Sequence, residues 1–117
     1  MAGTRILLVD DEEPLLDLLK RYLERLGYEV EACLTPLEAL KSFEEDPSKY
    51  ALVLSDLTLP DMPGDEMIAR MRAIDPKLKA IVASGRPYEP KGKRTGFLQK
   101  PFLPKMLAEL IENLLKV

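Results

Sequence analysis

The stretch Ile6-Leu7-Leu8-Val9-Asp10-Asp11-Glu12-Glu13-Pro14 decides the fold. Four consecutive apolar residues are too few for a helix and read as a strand buried on both faces, which stops at a pair of aspartates. Leu15, Leu18, Leu19, Tyr22, Leu23 and Leu26 then fall at helical spacing. Pro14 suits the first turn of that helix, Lys20, Arg21 and Arg25 suit the negative end of its dipole, and Gly27 suits its stop. A doubly buried strand running straight into an amphipathic helix is the repeating unit of a parallel α/β sheet.

The same alternation continues outward. Tyr28–Cys33 reads as a second strand. Thr35 as N-cap, Pro36 at the first helical position and Glu38 at the third form a capping box, opening a helix that carries Leu37, Leu40 and Phe43. Ala51–Ser55 is a third strand ending at Asp56, followed by a loop through Pro60, Pro63 and Gly64 and a helix marked by Met67, Ile68, Met71 and Ile74. Ala80–Ala83 is a fourth strand ending at Ser84, and Gly96–Gln99 a fifth ending at Lys100. Leu103, Leu107, Leu110, Ile111 and Leu114 form the last helix. The expectation is one α/β domain over residues 1–117, a doubly wound sheet of five parallel strands with four helices. A helix between the last two strands is expected to be shortened or absent. Pro87, Pro90 and Gly92 oppose it, and the 16 steps from Ser84 to Lys100 leave room for a loop or a single turn bearing Lys91, Lys93 and Arg94.

Composition narrows the chemistry. The chain of 117 residues has no histidine, which excludes Ser-His-Asp machinery, histidine metal cages and a phosphohistidine formed on this chain. A lone Cys33 makes no internal disulfide, reads as a packed thiol and is compatible with a reducing cytoplasm. The longest apolar run, Tyr50–Leu54, is far short of the roughly 20 residues of a membrane span, and no secretory signal is legible at the start. Residues 1–66 hold 16 acids against 6 bases, and residues 67–117 hold 4 acids against 11 bases. Nucleic-acid binding through Arg86–Arg94 is disfavoured, because the whole chain is acidic and no aromatic residues interleave with the bases.

Ligand sites of open α/β sheets lie at the carboxyl ends of the strands. Asp10 and Asp11 end the first strand, Asp56 the third, Ser84 the fourth and Lys100 the fifth. If strands one and three are neighbours, about 4.8 Å apart, the three carboxylates converge. Like charges near 4 Å repel by roughly 4 kcal/mol at an effective dielectric of about 20, so the cluster calls for a cation. A hard divalent ion fits oxygen ligands, and Mg²⁺ is the common choice beside phosphates. A nucleophilic carboxylate, a metal, a hydroxyl and an ammonium together suit phosphoryl transfer.

The order Val9-Asp10-Asp11-Glu12, Ser55-Asp56-Leu57-Thr58-Leu59-Pro60, Ala83-Ser84-Gly85 and Lys100-Pro101-Phe102 resembles the receiver domain of two-component response regulators, the CheY-like fold. The resemblance spans Arg5 to the last helix. It implies a flavodoxin-like sheet of order 2-1-3-4-5, Asp56 as phosphoacceptor, and Mg²⁺ held by Asp10, Asp11, Asp56 and the backbone carbonyl of Thr58. It further implies that Ser84 binds a phosphoryl oxygen, that Lys100 pairs with the phosphoryl group, and that Ser84 and Phe97 form the conformational switch. Thr58 and Arg86 would border the path of water to the acyl phosphate, and Lys100-Pro101 is a candidate cis peptide. The donor would be a histidine kinase or phosphotransfer protein in the cytoplasm, with an unidentified downstream partner. A receiver lacking its fourth helix is expected to stay monomeric, because half of a common dimer face is missing. Such a domain would assist its own phosphorylation without being an independent enzyme.

Other classes fit less well. A flavodoxin-like cofactor binder needs a phosphate-binding loop after the first strand, where this chain places Asp10, Asp11, Glu12 and Glu13. A haloacid-dehalogenase-type phosphatase needs a second Asp two residues after the nucleophile, and Thr58 stands there. A degenerate receiver used only for docking would not be expected to keep the acidic site.

Overall fold

Alternate strand residues face opposite sides of the sheet, and that alternation builds two cores. The computed structural model describes residues 3–90 and 92–117, and among these five strands alternate with four helices. β1 (Arg5–Val9), β2 (Glu29–Cys33), β3 (Leu52–Asp56), β4 (Lys79–Ser84) and β5 (Thr95–Gln99) form one parallel sheet of order β2-β1-β3-β4-β5. α1 (Glu13–Arg25), α2 (Pro36–Glu45), α3 (Gly64–Ile74) and α4 (Pro104–Leu115) cover its faces. Ile6, Leu8, Leu52, Leu54 and Ile81 point to the side of α1 and α4, where they meet Leu19, Leu23, Leu107 and Ile111. Leu7, Val9, Val53, Ala80 and Val82 point the other way, onto Phe43 of α2 and Met67 and Met71 of α3.

Strand bounds fall within one residue of those read from the sequence. At the start of α2 the Glu38 N–H donates to Thr35 Oγ1 at 3.2 Å, and the Thr35 hydroxyl reaches the Glu38 carboxylate at the same distance. Three details differ. Leu18 and Leu26 of the expected α1 stripe are exposed while Leu16 is buried, because seven apolar residues from Leu15 to Leu26 exceed what one face can bury. Leu37 and Ile74 likewise face outward. Gly64, read as part of a loop, is the first residue of α3.

Between β4 and β5 no described residue is helical, as the prolines and Gly92 demand; Lys91 lies outside the described residues. Gly92 adopts a left-handed φ of 79°, and Lys93 and Arg94 follow, exposed, in a turn. The bracing comes instead from Arg72 of α3. Its guanidinium donates to the Leu78 carbonyl at 3.0 Å, the Thr95 hydroxyl at 2.8 Å and the Arg94 carbonyl at 3.0 Å. One side chain thus ties the end of α3 to the entry of β5.

Candidate functional site

Register brings the site together. Val9 pairs with Ser55 across β1 and β3, and Asp56 with Ala83 across β3 and β4, so Asp10 and Asp56 emerge side by side at the carboxyl edge. The ladder continues beyond the strand ends. Asp10 N–H donates to the Cys33 carbonyl, Leu57 N–H to Ala83, and Lys100 N–H to Ser84 at 2.8 Å, which fixes the backbone beneath each functional side chain. The Lys100-Pro101 peptide is cis, as the resemblance implies.

The carboxylates of Asp10, Asp11 and Asp56 each offer an oxygen within 4.8 Å of the others. Asp10 is 6% exposed, Asp56 half-buried and Asp11 exposed. The Lys100 ammonium lies among them, 3.1 Å from Asp10 Oδ2 and 3.5 Å from Asp56 Oδ2. It also reaches Glu12 Oε1 at 3.0 Å, a contact the sequence reading did not single out although Glu12 directly follows the aspartate pair. The other oxygen of Asp10 accepts the Glu12 N–H at 2.9 Å, so that carboxylate is anchored from two sides. Burial, reinforced by Asp10 and Asp11 against the pull of Lys100, holds the Asp56 carboxyl above its ordinary range. Burial opposes the charge on Lys100, yet its hydrogen bonds to Glu12 and Asp10 outweigh that and raise its pKa. Asp10, Glu12 and Asp56 share one ammonium and Asp11 adds a fourth carboxylate, so negative charge is left over, and the donors are all oxygen: the site fits a hard divalent cation.

Ser84 is 4% exposed at the end of β4, where its Oγ accepts the Arg86 N–H at 3.0 Å. Among the described residues its own proton has no acceptor and is available to donate. Phe97 is partly buried on β5, and its ring lies 6.2 Å from that of Tyr88 in a tilted arrangement. Tyr88 was not singled out from the sequence, because a lone aromatic among prolines carries no periodic signal. Thr58 is exposed in the turn two residues past Asp56. Gly64 was also missed as a site residue. A Cβ there would overlap the Asp56 carbonyl oxygen and stand 2.5 Å from Ser55 Oγ, while its N–H donates to the Leu57 carbonyl at 2.8 Å. The first turn of α3 therefore rests directly on the backbone that presents Asp56.

This fold and this acidic edge are those of a phosphoacceptor signalling domain. The chain belongs to the response regulator receiver domain family, whose model matches residues 6–112. It is similar to the sensor kinase CckA of Brucella abortus, with 32% identity over 98% of this chain but only 13% of that protein. It is equally similar, at 32% identity over 95% of this chain and 96% of the relative, to the response regulator receiver protein CpdR of the same organism. The crystal structure of the response regulator TrrA from Thermotoga maritima, in complex with Mg(2+)-BeF, superimposes with a TM-score of 0.83 at 30% identity, covering 95% of this chain and 98% of that one. The chain therefore acts in two-component signal transduction, and the flavodoxin-like cofactor reading is not favoured.

Proposed function

We propose that Asp56 is the phosphoacceptor of this receiver and that the group formed by Asp10, Asp11 and Asp56, with the Thr58 backbone carbonyl, holds Mg²⁺. The observation that carries this is the convergence of the three carboxylates within 4.8 Å, with Lys100 3.5 Å from Asp56. The chemistry the ion supplies when bound is neutralisation of phosphoryl oxygens. An Asp56 oxygen attacks phosphorus in line; the new O–P bond forms as the P–N bond of a donor phosphohistidine breaks and the imidazole leaves with the electron pair. Lys100 already faces Asp56 and pairs with a phosphoryl oxygen, and the free Ser84 proton binds another. Drawing Ser84 inward vacates space beside β4 for Phe97, two registers away on β5, whose partly buried ring lies against Tyr88. That makes Ser84 and Phe97 the two-state element that phosphorylation biases.

The phosphodonor in this reading is a histidine kinase or phosphotransfer protein. Leu18 on α1 and Leu103 and Met106 at the start of α4 are exposed, Leu103 at 67%, on two helices that leave the sheet beside the acidic cleft. They offer the apolar contact that a docking helical donor needs. The unit would act as a single domain in the cytoplasm, and as a monomer, since the segment joining β4 to β5 supplies no fourth-helix dimer face. No helix among the described residues is long and apolar enough to cross a membrane. Mass spectrometry after exposure to acetyl phosphate tests the reading. One phosphoryl adduct is expected with Mg²⁺, none in chelator and none in Asp56→Asn; full labelling of that variant sinks the assignment.

A further inference from the structure

We propose that the cleft between α3 and the segment joining β4 to β5 receives a helix from a partner protein, lying antiparallel to α3, acidic in its first turn and basic in its last. The cleft encloses about 880 Å³, within the range of specific binding clefts. One wall is the outward stripe of α3, on which Asp65, Ala69, Arg72 and Ala73 follow at helical spacing. The other is Tyr88 and Glu89. Burial and the Asp65 carboxylate raise the pKa of the Tyr88 phenol while Arg72 acts the other way.

Its charges are separated and largely unspent. At the end where α3 begins, Asp65 accepts only the adjacent Glu66 N–H at 3.0 Å, and neither Asp65 nor Glu89 has a salt-bridge partner among the described residues. Glu66 is engaged by Arg70 at 2.9 Å. At the far end Arg72 touches three neutral oxygens and keeps its charge uncompensated. Ala69 lies between the ends and Ala73 just past Arg72, both exposed and short enough to let a second helix approach at the lower limit of about 8 Å between axes.

These charges choose the occupant and its direction. A helix laid antiparallel sets its last turn over Asp65 and Glu89 and its first turn near Arg72. A base in the last turn and an acid in the first are what a helix's own dipole favours, so intrinsic stability and complementarity agree. A parallel helix would need them reversed. Asp65 and Arg72 lie seven residues apart, about 10 Å along the axis, and the partner's acid and base need the same spacing. None of this depends on the chemistry of Asp56.

The test is fluorescence anisotropy of the full, unphosphorylated chain with a labelled alanine-based peptide of about 14 residues, long enough to be partly helical. It carries a glutamate in its first turn, leucines on the same stripe and an arginine seven residues after the glutamate. A control exchanges only the glutamate and the arginine. The control should bind at least about tenfold more weakly. Ala69→Trp, which fills the middle of the cleft, should abolish binding, and Asp65→Lys with Glu89→Lys, which makes both ends basic, should weaken the first peptide and erase the preference between the two. Thermal melts and acetyl phosphate labelling report separately on folding and on Asp56. Equal affinity of the parent protein for both peptides, binding that survives Ala69→Trp in a folded protein, or self-association through this cleft that blocks the peptide would each overturn the proposal; if Ala69→Trp does not fold, the Asp65→Lys, Glu89→Lys pair decides.

Discussion

Gly64→Ala tests whether α3 positions Asp56. Gly64 has an ordinary backbone conformation, so the requirement is one of space alone. An added Cβ would overlap the Asp56 carbonyl oxygen and lie 2.5 Å from Ser55 Oγ, whereas carbon and oxygen ordinarily stay about 3.3 Å or more apart. The first turn of α3 must therefore retreat by roughly 1 Å, or the Asp56 backbone must. Overpacking of this kind costs about 1–3 kcal/mol, and weakening the Gly64 N–H bond to Leu57 adds about 1, offset in part by the better helix propensity of alanine. The net is about 2–3 kcal/mol. With an unfolding entropy of roughly 2.1 cal/mol/K per residue, a chain of 117 residues loses about 8–12 °C in Tm. Because the displaced backbone carries Asp56, phosphorylation by acetyl phosphate should slow as well, by up to about a hundredfold for a 1 Å misplacement. Calorimetry and phosphate-affinity gels read the two effects on the same preparation. A Tm within about 2 °C of the parent and an unchanged labelling rate would refute the reasoning.

Lys100→Ala removes the only ammonium in contact with Asp10 and Asp56 among the described residues; it should cost about 1–3 kcal/mol without metal, and Mg²⁺ should restore part of the lost Tm in a thermal titration. Arg86, exposed two residues past Ser84, should shield the acyl phosphate from water, so Arg86→Ala should shorten the lifetime of the adduct more than it changes its rate of formation; equal shifts in both rates count against that role. Burial, with Glu31 and Glu38 adding to it, pushes the Cys33 thiol up to about 11 despite a hydrogen bond with Ser42. Iodoacetamide should therefore modify the native chain far more slowly at pH 8 than the unfolded one. Since the folded thiol holds its proton above the pH where the unfolded thiol releases it, stability should fall as pH rises from about 9 toward 11, and Cys33→Ala should flatten that slope in urea titrations.

How far the sequence can be read depends on whether a residue's partner is local. Ile6–Val9 and Ala51–Ser55 announce themselves because a strand buried on both faces must be apolar throughout, and Asp10 and Asp56 stand out as abrupt breaks in those runs. The shortened crossover between β4 and β5 is equally legible, since Pro87, Pro90 and Gly92 act on their own backbone. Gly64 was misplaced because its role is spatial: nothing beside it in sequence shows that the Asp56 carbonyl will press against it. Tyr88 and Arg72 were missed for the same reason, as their partners Phe97, Arg94 and Thr95 arrive only with β5. The exposed Leu18 and Leu37 mark the opposite failure, where helical periodicity names more apolar residues than the core has room for.

The charge asymmetry between the two halves of the chain becomes intelligible at the same edge. The acids of the site come from the connection between β1 and α1 and from the end of β3, all in the first half, and the ammonium that pairs with Asp10, Glu12 and Asp56 comes from Lys100, 90 residues after Asp10. Lys100 can reach Asp10 and Asp56 because parallel strands all end on one side, whatever their distance along the chain. Without Lys100 the carboxylates would face one another with no ammonium among them, and their repulsion would oppose the pairing of β1 with β3. The last strand therefore does more than close the sheet: by delivering Lys100, and by giving Arg72 its acceptors at Arg94 and Thr95, it relieves the site and braces the segment that lacks a helix. Residues 95–100 carry both the ammonium of the acidic edge and Phe97, so a change at Asp56 has a short route to the surface around β5.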